Sequence, residues 1–266
     1  MCLPRIRKVF SVCGCGLRKD EKISVQRKQE IPGILVRMLY PDRCPFCGRV
    51  LAEEEKEQLA CRECMGKLEF IEENFCLKCG KPLLSETREY CAECGRREYS
   101  FAQARALLPY SDEVRSSLYQ FKNGNRRDHA QFYGHQIAER FESWIRRSGA
   151  EMIVPVPMYP ARKRERGYNQ AEVLADVIGR ELDLPVEKHL LFKTEDTRQQ
   201  KSLSAEERRR NLRHAFQAGR GAKGRRILLV DDIYTTGATL DAAAAALRRA
   251  GAASVYAVCA AIVGGE

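Results

Sequence analysis

Two groups of residues in this chain have types and spacings that can do chemistry. The first is Arg226-Ile-Leu-Leu-Val-Asp-Asp-Ile-Tyr-Thr-Thr-Gly-Ala-Thr239, where an apolar run delivers adjacent carboxylates, Asp231 and Asp232, ahead of small hydroxyl residues and glycine. If the run is a strand and a helix opens after it, backbone N–H groups and Thr hydroxyls converge on an anion at the helix N-terminus. Thr235, Thr236, Gly237, Ala238 and Thr239 would form that cradle, with Gly237 letting the backbone approach a phosphate closely. Asp231 and Asp232 beside it can accept hydrogen bonds from sugar hydroxyls or help hold Mg2+. A phosphate flanked by a diol describes a ribose 5-phosphate. A lone Asp-Asp or Thr-Thr-Gly would read as a helix cap and a plain turn; the whole arrangement is more specific.

The second group is four C-x-x-C pairs among the 12 cysteines. A C-x-x-C turn aims two thiolates at one tetrahedral Zn2+, and two such turns close a four-sulfur site. Cys44, Cys47, Cys61 and Cys64 are separated by 2, 13 and 2 residues, and Cys76, Cys79, Cys91 and Cys94 by 2, 11 and 2. Both sets read as zinc ribbons. A disulfide framework suits small secreted domains, and no secretory leader is evident. Sequential pairing closes shorter loops and is favoured over a crossed arrangement joining Cys44 and Cys47 with Cys76 and Cys79. Gly48 and Gly80 follow the second cysteine of a knuckle, a place for positive φ. Residues 44–94 hold too few apolar side chains for a core of their own, so the two zincs are expected to be structural. Cys259, in an apolar strand, reads as a core residue. Cys2, Cys13 and Cys15 have no assigned role.

Alternating strands and helices must position the phosphate loop. Strands are expected at 103–108, 152–156, 227–231 and 254–263. Helices are expected at 112–122, 128–147, from an Asn169 N-cap to about Leu182, and at 238–249, ended by Gly251. Ser204-Ala-Glu-Glu207 reads as a capping box opening another helix. Such alternation predicts an α/β fold with a mostly parallel sheet flanked by helices. The expected domains are a basic, poorly ordered tail at 1–40, a double zinc ribbon at 41–98 and the α/β domain at 99–266. No apolar run approaches the ~20 residues of a membrane span, which suggests a soluble, cytoplasmic protein.

The formal charge of +10 is unevenly placed. Residues 1–43 carry 10 Lys and Arg against 4 acids, and residues 44–99 carry 9 against 12. That acidic balance argues against a dominant phosphate-binding surface on the ribbons. Residues 193–226 carry 11 basic residues against 4 acids, which is the whole excess of the α/β domain. This basic arm, with Arg208, Arg209, Arg210 and Arg213 at its centre, suits single-stranded DNA, with Phe192 and Phe216 as stacking partners. Two other readings of the arm are a loop closing over diphosphate and a solvated helix paired through Glu206 and Glu207.

The 226–239 segment resembles the PRPP (phosphoribosyl pyrophosphate) motif of type I phosphoribosyltransferases. Together with Val154-Pro-Val-Pro157, Arg166-Gly-Tyr-Asn-Gln170, the 200–216 segment and the upstream cysteines, the chain resembles the ComF family over about residues 40–264. The resemblance implies a five-stranded type I phosphoribosyltransferase-like core, preceded by the zinc ribbons. It places Asp231 and Asp232 on the ribose hydroxyls and Thr235 through Thr239 on the 5-phosphate. The loop after Pro157 becomes the pyrophosphate loop, with Arg162, Lys163, Arg164 and Arg166 as candidate diphosphate contacts, Arg162 and Arg166 foremost. Lys122, in Phe-Lys-Asn-Gly124, is left outside the expected site. The implied ligands are PRPP or a related ribose phosphate, with Mg2+. The implied setting is DNA uptake in natural competence, with single-stranded DNA and a ComFA-like helicase as partners. The alternative is a cytosolic phosphoribosyltransferase with an unknown acceptor and purely structural ribbons. No strong general base stands out for either.

Overall fold

Four parallel strands in the order β1-β6-β5-β2 form the central sheet: β1 Ala104–Pro109, β2 Met152–Pro155, β5 Arg226–Tyr234 and β6 Ser254–Ile262. The computed structural model describes residues 41–195 and 215–264. The expected tail at 1–40, Cys2, Cys13, Cys15, the Ser204 capping box and the arginines at 208–213 lie outside them.

Alternation in the strands sends side chains to two cores. Ile227 and Leu229 of β5 join one core, and Leu228 and Val230 join the other. The second face is covered by α1 (Asp112–Asn123), α2 (His129–Ser148) and α4 (Gln170–Leu182). The first is covered by α5 (Ala238–Arg249), whose alanines let it sit close, and by a small antiparallel pair, β3 (Leu191–Lys193) with β4 (Phe216–Ala218). A short helix, α3 (Pro160–Arg166), follows β2.

The helices begin as their sequences ask. Ser111 Oγ accepts the Val114 N–H at the start of α1, and Asn169 Oδ1 accepts the Ala171 N–H at 3.2 Å at the start of α4. Two expectations shift, and one pair is new. The 227–231 strand continues to Tyr234. Among the described residues the implied five-stranded core is four strands plus a parallel bridge from Ile153 of β2 to Val186. The β3–β4 pair was not read from the sequence.

The two cysteine quartets are divided between the two cores. Cys44 and Cys61 pack in the core of α1, α2 and α4, where the Phe46 ring meets Phe132 edge-on at 5.0 Å. Cys76, Cys79 and Cys91 pack in the core of α5. The chain between them runs along β1, the edge strand. The Ile71 N–H donates to the Leu107 carbonyl at 3.0 Å, and the Ala104 N–H donates to the Lys78 carbonyl at 2.8 Å. Gly80 has φ +77°, and a Cβ there would lie 2.9 Å from both the Ala104 oxygen and the Arg105 Cα. Only glycine lets this knuckle press on the strand. The ribbons thus borrow the hydrophobic cores that their own sequence lacks.

Candidate functional site

Each cysteine quartet brings its four sulfurs within 4.8 Å of one another. The Cys47–Cys61 and Cys79–Cys91 Sγ separations are 3.7 and 3.8 Å, close to the edge of about 3.8 Å of a tetrahedron with Zn–S bonds of about 2.3 Å. Within the knuckles, the N–H groups of Cys64 and Cys94 each point at the sulfur of the cysteine three residues earlier, at 3.5 Å. Four sulfurs leave no open position, so these are structural sites. Pairing is sequential, and the crossed arrangement is not formed. Cys259 is buried on β6, opposite Asp231, as a core residue.

The second site is a cleft of about 300 Å³ at the C-terminal ends of β2 and β5. Asp231, Asp232, Thr235, Thr239, Arg162 and Arg166 all line it. The Asp232 N–H donates to Asp231 Oδ1 at 2.9 Å. Burial, then the neighbouring Asp232 charge, push the Asp231 carboxyl up to about 7, with the Asp232 N–H, Lys122 and Lys193 opposing. Thr236 is exposed and Ala238 half-buried; with Gly237 they form the turn into α5. Gly237 has φ +70°, and a Cβ there would lie 2.1 Å from the buried Tyr234 hydroxyl. The loop therefore rests directly on the last side chain of β5.

The basic residues after Pro157 separate into two pairs. Arg162 and Arg166 face the cleft, and Arg166 Nη1 donates to Gln170 Oε1 at 3.0 Å. Lys163 is held by Glu172 at 2.7 and 2.8 Å, and Arg164 is exposed. The Arg166–Gln170 segment works mainly as a clasp. Tyr168 donates its hydroxyl to the Phe121 carbonyl, and Asn169 Nδ2 donates to the Val156 carbonyl at 2.9 Å. Gln170 Nε2 donates to the Lys122 carbonyl at 3.4 Å.

Two lysines join the cleft: Lys122, which was set outside the expected site, and Lys193, the first residue of the basic arm. Lys122, at the end of α1, forms a 2.9 Å ion pair with Asp232. Lys193, on β3, also lines the cleft. The Phe-Lys-Asn-Gly124 turn was the only signal for the first. Phe216 departs from its expected stacking role. It is fully buried, with Lys193 over its ring at 5.4 Å, so only Phe192 of the proposed pair is exposed.

The family comparisons fit both sites. A double zinc ribbon domain matches residues 35–95, and a phosphoribosyl transferase domain matches residues 166–264. Competence protein F of Haemophilus influenzae is 29% identical over 214 residues, covering 72% of this chain and 91% of that protein. Competence protein ComFC of Bacillus subtilis is 29% identical, covering 77% and 85%. The DNA utilization protein YhgH of Escherichia coli is 28% identical, covering 71% and 84%.

The chain is similar to ComF-type competence proteins over most of its length. The matched phosphoribosyl transferase domain contains the turn at 235–239, the Asp pair and the Arg166 clasp. It begins after β2, so Lys122 and the loop at 157–165 are contributed from outside the match. No helix among the described residues is long and apolar enough to cross a membrane.

Proposed function

We propose that the cleft binds PRPP or a closely related ribose phosphate with Mg2+, and that the protein serves DNA uptake or handling in the cytoplasm. The observation that carries this reading is the convergence, in one cleft, of an Asp pair, a glycine-threonine turn at a helix start and four basic side chains. In this reading the N–H groups and hydroxyls of 235–239 take the 5-phosphate, and Asp231 and Asp232 take the ribose diol. Arg162, Arg166, Lys122 and Lys193 face the diphosphate. Asp231 and Asp232 are the carboxylates that would help hold Mg2+, which when bound would screen the charge of pyrophosphate. The protein's own part is positioning and electrostatics.

The DNA setting is supported by the names of the relatives, which refer to competence and DNA utilization. Single-stranded DNA is assigned to the arm holding Arg208, Arg209, Arg210 and Arg213, and a ComFA-like helicase is a partner by family resemblance. The second reading, pentosyl transfer to an unidentified acceptor, uses the same cleft.

Calorimetry of PRPP with Mg2+ against wild type and Asp231→Asn/Asp232→Asn tests the ligand. Absence of binding to wild type would sink the reading. Pyrophosphate release tests transfer. Salt-dependent binding of an oligothymidylate to wild type and to a charge-reversed 208–213 variant tests the arm. Equal, weak binding by both would remove DNA from it.

A further inference from the structure

A second cleft, of about 240 Å³, holds positive charge that the described part of the molecule leaves unanswered. It lies between the chain linking the two ribbons and α2, and its walls include Glu72, Arg105, Arg140, Phe141, Trp144 and Arg147. It shares no lining residue with the ribose-phosphate cleft. Through β6 the register sets Arg105 level with Val230 and Ala106 level with Asp231, so Arg105 stands on the edge strand, two strands across the sheet from the Asp pair.

Arg105 is the centre of the cleft. Its guanidinium lies 3.6 Å from the centroid of the Phe75 ring and 5.8 Å from those of Phe141 and Trp144. It has no hydrogen-bond acceptor and no carboxylate partner among the described residues. The one charged group that shifts it is Arg147, of like sign. Burial and Arg147 together lower the guanidinium's pKa to about 10. Arg147 is exposed and also lacks a carboxylate partner among the described residues. Arg140 is occupied by comparison. It pairs with Glu72, donates from Nε to Gln136 Oε1 at 3.0 Å and stacks on Phe70 at 3.5 Å.

A guanidinium caged by three rings and facing a second guanidinium is electrostatically unfavourable without an anion. The ring faces offset part of that cost. Two forked donors facing one cavity match the several acceptor oxygens of a phosphate better than the two of a carboxylate. We propose that the Arg105–Arg147 cleft is a second anion site that takes a phosphate group, supplied as free phosphate or as a phosphodiester of a nucleic-acid strand.

Trp144 is the only tryptophan of the chain and lines this cleft, so its emission reports on it selectively. The full-length, zinc-loaded protein is titrated with inorganic phosphate and, separately, with an oligothymidylate, with chloride holding ionic strength constant. The expected result is a saturable change in Trp144 emission. It should require at least tenfold more ligand in Arg147→Glu and vanish in Arg105→Met. If the strand saturates the signal at far lower phosphate concentration than the free ion, the source is nucleic acid. If only the free ion moves it, the source is a small phosphate. An emission unmoved by both, or an unchanged response in Arg147→Glu, overturns the proposal. Arg147→Glu is a surface change, so this outcome is readable even if Arg105→Met folds poorly.

Discussion

Arg97 and Asp241 form a 2.5 Å ion pair between residues 144 positions apart. Arg97 lies three residues beyond the last cysteine of the second quartet, and Asp241 lies in the first turn of α5. Asp241 also accepts the Ser100 N–H at 2.8 Å, and the Arg97 guanidinium covers the Tyr99 ring at 4.4 Å. The second ribbon therefore braces the helix whose N-terminus carries the phosphate turn.

Breaking this brace should cost stability and ligand affinity together. Both side chains are about four-fifths buried, so Arg97→Ala should lose about 1.5–3 kcal/mol, the range for a hydrogen bond to a charged group. Asp241→Asn, which keeps an acceptor for Ser100, should lose less. Urea unfolding of the two single variants and the double variant checks this through their non-additivity. Calorimetry with PRPP should show weaker binding in each.

Gly237→Ala tests the phosphate turn. The new methyl would collide with the Tyr234 hydroxyl and sit at a φ that side chains avoid, at a cost of about 1–3 kcal/mol. Affinity for PRPP should fall as well, by about tenfold for each 1.4 kcal/mol of turn strain that remains in the complex. Zinc content should stay unchanged by metal analysis. Wild-type affinity in this variant would remove the turn from the site.

Asp231 predicts a pH dependence with a definite sign. Its carboxyl is raised from 3.8 to about 7 in the folded, ligand-free protein. The fold favours the neutral form, so this contribution is complete below the unfolded value and disappears as pH rises through about 7. The melting temperature of ligand-free protein should fall as pH climbs from about 5 to about 8. Asp231→Asn should flatten that slope and melt higher at the alkaline end. PRPP with Mg2+ needs the ionised carboxylate, so binding should tighten over the same interval and release a proton, read by calorimetry in two buffers of different ionisation enthalpy.

Metal analysis should find two zincs per chain. Cys44→Ser/Cys47→Ser and Cys76→Ser/Cys79→Ser should each retain one. The second variant should lose more PRPP affinity, because its ribbon holds Asp241. Equal losses would argue against the brace.

Much of the site was legible in the sequence because it depends on local order. The Asp pair, the threonine-glycine turn and helix 238–249 are contiguous, and Asn169 marks its own helix by a side chain suited to capping. What stayed hidden depends on contacts distant in sequence. The Phe-Lys-Asn-Gly124 turn marks a helix end near Lys122 but not its partner Asp232, which it reaches only once α1 packs on the sheet. Asp231 and Asp232 resemble a strand end by polarity, yet β5 continues to Tyr234 because Ile233 and Tyr234 pair with Ala261 and Ile262 of β6. Phe216 looked available for stacking, but its burial follows from β4 packing beside α5. The unpaired Arg105 stayed hidden too, because counting charges along the chain cannot separate it from compensated neighbours such as Arg140.

The ribbon chain that runs along β1 gives zinc a second consequence. An uncovered edge strand offers its peptide groups to any extended segment, and proteins ordinarily guard such edges. Here the guard is a segment with little core of its own, held in place by metal. A newly made chain short of zinc presents an open template to its neighbours, and its first failure is self-association. Zinc supply thus governs how much of the protein escapes aggregation, independently of any ligand.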